Sequence, residues 1–202
     1  MNDRFLFRFL TLAFIASAGP AFAQTAALSN YVAVGDSLTA GVVNATVVET
    51  HQVNSYPALI ARQAGLNLFA QPTVTEPGIP AELQLVALLP ATVIGPKAPS
   101  PGTPNNLGLP RPYNNLGIPT SNTPDYVSRT TDGGGPFDLV LRGLGTGLAQ
   151  AVALRANLYT VWLGNNDVLG AVVRGTAVDG TTLTPAATFR TAYEQVVTPL
   201  CQ

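Results

Sequence analysis

The chain has 202 residues, enough for one domain with a buried core. Ten Lys and Arg stand against eleven Asp and Glu, a formal net charge of −1, so no charge excess exists to attract nucleic acid or an anionic membrane. Only 10% of residues are charged, against roughly 25% in an average soluble protein, and the 19 glycines and 17 prolines imply much ordered loop.

Residues 1–23 read as a secretory signal peptide. Arg4 and Arg8 form its basic start, and residues 10–18 are an apolar run too short to span a bilayer. Ala21-Phe22-Ala23 then supplies a cleavage site, predicting a mature domain of 24–202 that is secreted or periplasmic, with no stable membrane span. The single cysteine, Cys201, leaves no intrachain disulfide, and no Cys/His cluster calls for a metal. No cofactor is called for either.

Tyr31-Val32-Ala33-Val34 predicts a short buried strand that runs into the turn Gly35-Asp36-Ser37. Gly35 permits the bend, and Gly41 leaves room for close backbone approach. A serine on such a turn carries its hydroxyl above the sheet, beside the N–H groups that open the next helix. The competing readings are a plain capped turn and the serine of an acyl carrier. A carrier would be acidic and helical around its serine, and here a valine-rich strand precedes it.

Residues 42–53 predict a loop or short helix carrying His51, the only histidine. Nothing in the sequence brings its ring to Ser37, so it is read as a partly exposed loop residue rather than a general base. Asn54-Ser55-Tyr56-Pro57 opens a helix, with a polar cap and a proline in its first turn, and Gly65 stops it. Residues 66–74 read as a second strand. Twelve of the seventeen prolines lie at 72–124. Residues 81–89 read as a helical patch there, and 95–112 as a long irregular loop forming a lid or wall over the site. Residues 113–119 read as a short strand and turn. A single helix is predicted over 137–156, weakened by Gly143, Gly145 and Gly147. Residues 157–163 form the next clear strand, ending in Gly164-Asn165-Asn166-Asp167. Thr184-Pro185 opens a last amphipathic helix, which Pro199 closes. Strands alternating with helices, and polar residues at strand ends, predict an α/β sheet with its site at the carboxyl edge.

Two of these turns carry a resemblance. Gly35-Asp36-Ser37-Leu38 is similar to the nucleophile block of the GDSL, or SGNH, hydrolase family, and Gly164-Asn165-Asn166-Asp167 to its G-x-N-D block. Asn54-Ser55-Tyr56-Pro57-Ala58-Leu59, Arg111-Pro112-Tyr113-Asn114-Asn115-Leu116 and Asn165-Asn166-Asp167-Val168-Leu169-Gly170 also resemble secreted bacterial members. The resemblance implies a three-layer α/β/α sandwich with a mainly parallel sheet. It implies hydrolysis of a carboxylic ester, lipid or acylated sugar, without metal or cofactor. By the same resemblance Ser37 is the nucleophile and, through its backbone N–H, one oxyanion donor. Asn166 is a second donor through its side-chain amide, and such donors contribute roughly 3 kcal/mol each. Asp36 and Asp167, with Gly35 and Gly164, shape the turns. The third donor falls at Thr120, where the family places glycine, with Gly117 as the fallback.

The family's base and its orienting acid come from a C-terminal D-x-x-H block, and no histidine follows His51. The sequence therefore resembles the first part of a hydrolase. Losing base and acid costs on the order of 10⁶ in kcat, while an intact oxyanion hole leaves about 10³ over water. The expectation is a serine ester hydrolase with weak or no turnover. The alternatives are a non-catalytic derivative that binds acyl or glycan ligands, and an enzyme rescued by His51 or by a partner chain.

Overall fold

The computed structural model describes residues 28–202, so the expected leader of residues 1–23 lies outside the described residues. Three parallel strands form the central sheet, in the order β4-β1-β5. They are β1 (Tyr31–Gly35), β4 (Asn115–Gly117) and β5 (Leu158–Trp162). A separate antiparallel hairpin is made of β2 (Leu83–Ala87) and β3 (Val93–Pro96). The helices, in chain order, are α1 (Ser37–Ala40), α2 (Glu49–Gln52), α3 (Tyr56–Gln63), α4 (Thr123–Ser128), α5 (Pro136–Leu141), α6 (Gly147–Ala153), α7 (Asn165–Arg174) and α8 (Ala186–Leu200). No helix among the described residues is long and apolar enough to cross a membrane.

β1 is central because every one of its residues is apolar or small, and all five are buried. Its side chains alternate between two apolar layers. Val32 and Val34 pack with Tyr126, Phe137, Val140, Ala151 and Val196, from α4, α5, α6 and α8. Tyr31 and Ala33 face Ala61 and Ile60 of α3, with Phe69 beside them. Each large apolar side chain so buried contributes roughly 1.5–3 kcal/mol, which selects this mixed α/β arrangement. The Tyr126 hydroxyl, buried in the first layer, donates to the Leu116 carbonyl at 3.1 Å, so its burial leaves no unpaired polar group.

The strands and helices expected at 31–34, 56–63, 115–117, 158–162 and 186–200 are present. Residues 81–89 are not helical. They form β2, whose ladder pairs Leu85 with Ile94 and Leu83 with Pro96. Residues 66–74 form no strand, and only Val74 makes a bridge, to Pro104. There the Ala70 carbonyl instead accepts the N–H groups of Asn114 (2.7 Å) and Asn115 (3.0 Å), so a loop rather than a strand covers this edge of the sheet. The helix expected over 137–156 is two helices, α5 and α6. Between them Arg142, Gly143 and Gly145 take positive φ values of 53°, 73° and 102°. A helix cannot pass through left-handed residues. The Arg142 guanidinium then donates to the carbonyls of Leu107, Leu109 and Arg111 and lies 3.9 Å from the Tyr113 ring centroid, fixing the proline-rich loop beneath it. Pro199 falls inside the last turn of α8 rather than after it.

Candidate active site

Ser37 is the first residue of α1, and Asp36 is its cap. The Asp36 carboxylate accepts from the Leu38 N–H at 3.0 Å. Its own N–H donates to the Trp162 carbonyl at 3.2 Å, which ties the serine turn to the end of β5. Burial pushes the Asp36 carboxyl above the usual carboxylate range, while the Leu38 N–H and the neighbouring Asn165 side chain pull the other way. With its carboxylate bonded to Leu38, Asp36 shapes the turn. A Cβ on Gly35 would collide with Thr39 and with the Trp162 carbonyl, so only glycine fits there. Gly41 takes φ +79° and closes α1, and the Val42 N–H returns to the Ser37 carbonyl at 3.0 Å.

Two buried asparagines, whose roles the sequence did not disclose, tie β4 and its approach to the serine turn and to the start of β1. The Asn115 amide donates to the Thr39 carbonyl at 2.9 Å, and its oxygen accepts the Gly117 N–H at 3.0 Å. The Asn114 amide donates to the Tyr31 carbonyl at 3.0 Å. Gly117 is therefore not the spare oxyanion donor. Its N–H is bonded to Asn115, and a Cβ on it would strike the backbone of Thr39 and Ala40. Thr120 instead has φ +68°, the left-handed conformation that strains a β-branched residue. Its N–H enters no hydrogen bond among the described residues.

At the end of β5, Gly164 turns the chain with φ +118° and begins α7. The Asn166 amide donates to the Ser121 carbonyl at 2.9 Å, which orients it and leaves its second N–H for another acceptor. Asp167 is buried, and its carboxylate accepts the N–H and hydroxyl of Thr123 at 2.9 and 2.8 Å. It thereby fastens the start of α7 to the start of α4, leaving one carboxylate oxygen without a hydrogen-bond partner.

Ser37, Thr120 and Asn166 line one cavity of about 440 Å³ beyond the carboxyl ends of the three parallel strands. Its walls are Val42, Val47, Ile79, Pro80, Pro136, Leu139 and Leu169, and among the described residues no Asp, Glu, His, Lys, Arg, Tyr or Cys lines it. The wall at 42–47 is a tight turn with positive φ at Asn44 (50°) and Ala45 (61°), a shape the sequence reading of a loop or short helix did not specify. Residues 95–112, expected over the site, contribute nothing to the cavity. They lie instead against the 73–75 segment and Glu49. No family model, curated protein or solved structure matches this chain.

His51 stands apart from the serine cavity. Its Nε2 lies 3.0 Å from a Glu82 carboxylate oxygen, and it lines a different cavity with Tyr56 and Trp162. Among the described residues no group of three or more His, Cys, Asp or Glu could hold a metal ion.

Proposed function

We propose that this chain supplies the nucleophile and oxyanion donors of a GDSL/SGNH-type serine ester hydrolase, folded as a three-layer α/β/α sandwich. It is exported to the periplasm or beyond after cleavage following Ala23. The observation that carries this reading is the convergence of Ser37, Thr120 and Asn166 on one cavity at the carboxyl edge of a parallel sheet. In this reading the Ser37 oxygen attacks the carbonyl carbon of a lipid or acyl-sugar ester. The oxygen that gains charge is held by the N–H groups of Ser37 and Thr120 and by the free N–H of Asn166. The apolar walls exclude water and take the acyl chain. Among the described residues no base lines the Ser37 cavity, and a serine hydroxyl without an adjacent base is a weak nucleophile, so turnover by these residues alone is slow.

A second reading, a binding protein for acyl or glycan ligands, is favoured by the lack of any ionisable side chain among the described residues that line the cavity. A fluorophosphonate probe and a p-nitrophenyl ester separate the two. For the hydrolase, slow stoichiometric labelling of Ser37 is expected, lost in Ser37→Ala, with ester turnover reduced about 10²-fold in Asn166→Ala. His51→Ala should leave both unchanged. Saturable ester binding with neither labelling nor turnover overturns the hydrolase and supports the binding protein.

A further inference from the structure

The hairpin β2–β3 stands outside the site. Its sequence from Leu83 to Pro96 contains no ionisable residue. Ladder partners share a face, so Leu85 and Ile94 lie on one side of the ribbon, and they are 58% and 65% exposed. Val86 and Val93 lie on the other side, at 59% and 47%. At the tip Leu88 and Leu89 are 63% and 81% exposed. Soluble domains rarely leave this much contiguous apolar surface bare.

We propose that this hairpin is a docking device for an uncharged lipid surface, which it enters by its tip. Two observations favour lipid over a second protein surface. Apolar side chains stand exposed on both faces of the ribbon and at its tip, with Gln84 and Thr92 its polar side chains, and a folded partner covers one face where hydrocarbon surrounds all three. The ribbon lacks charge throughout, and the cation at its base, Lys97, is already paired with Glu76 and Glu82, so nothing selects anionic headgroups. The hairpin meets the site through one residue outside it. Ala45 lines the cavity under its base, with Leu83 and Leu85, and also lines the Ser37 cavity. The inference does not depend on whether Ser37 turns over esters.

Flotation of the purified chain with phosphatidylcholine vesicles tests it. The chain should float, and salt at about 1 M, where screening acts within about 3 Å, should leave it bound. Leu88→Glu/Leu89→Glu should lower the bound fraction about tenfold or more while the circular dichroism and Tm stay unchanged. Should the pair disturb folding, the single Leu89→Glu at the most exposed tip position gives the same comparison. Absence of flotation, a requirement for anionic lipid, or undiminished flotation of the folded variant overturns the proposal. So does a vesicle-free dimer that the variant dissolves while the native chain fails to float, since a second copy would then cover the hairpin.

Discussion

Thr120 is held at φ +68° between Pro119 and the turn that leads to α4. Left-handed backbone costs an L-residue roughly 1–2 kcal/mol, and branching at Cβ adds to that. Glycine relieves the strain but brings more freedom to the unfolded chain. The expected net effect of Thr120→Gly is a gain of about 0.5–1 kcal/mol in a urea titration. Thr120→Val should give none, since it keeps the branch. Both keep the backbone N–H, so neither should alter binding at the Ser37 cavity through that group. At the same scale, the role of Asp36 was legible because Asp is a preferred cap where a strand hands over to a helix. Asp167 lies past the Gly164 cap and bonds Thr123, far away in sequence, so its tie to α4 was not legible. Asn114 and Asn115 were not legible as ties. Their partners, the carbonyls of Tyr31 and Thr39, lie far away in sequence, and no local pattern announces such a bond.

Glu82 is one of the ties between the base of the hairpin and the body, beside the Leu83 N–H bond to the Asn44 carbonyl at 3.1 Å. Glu82 accepts from the Asn44 amide at 2.9 Å, from His51 Nε2 at 3.0 Å and from Lys97 at 3.1 Å. These bonds, Asn44 first, lower its carboxyl from 4.5 to about 2. A folded-state value below the unfolded one means the clamp stabilises above pH 4.5 and is lost as the pH falls toward 2. Amide exchange at 83–96, measured against that of β1, should therefore accelerate over this interval. Glu82→Gln should show the faster ratio already at neutral pH. A ratio that is independent of pH in the native chain would rule the clamp out. The hairpin was misread from sequence because Leu83-Gln84-Leu85-Val86-Ala87 is apolar without a clear period, and leucine, glutamine and alanine favour helix. Pairing with Val93–Pro96 decided the outcome, and pairing is a property of two segments together. Strands β1 and β5 were legible for the opposite reason. Valine-rich or aromatic runs bounded by glycine carry the strand preference within themselves. Leu66 to Val74 offered a weaker form of that signal, and Asn114 and Asn115 took its carbonyl at Ala70 without any ladder forming.

For the molecule as a whole, the three-stranded sheet ends at β5, which pairs with β1 on one side and with no strand among the described residues on the other. Near its carboxyl end α7 exposes Val172 and Val173 at 72% and 76%. Bare strand edges and apolar helix faces invite association between copies. Val172→Lys/Val173→Glu should reduce association in sedimentation while shifting stability by less than about 0.5 kcal/mol, since neither side chain is buried. Unchanged sedimentation would show that α7 is not where copies meet. Trp162 closes β5 and is the only tryptophan in the chain. Its carbonyl holds Asp36, and its ring lies 5.7 Å from that of Tyr56, whose hydroxyl bonds Thr39 of α1. The single indole is thus wired on two sides to the serine turn and is half open to solvent. The protein carries its own optical reporter there, and the colour of its emitted light follows the order of that turn without any added label.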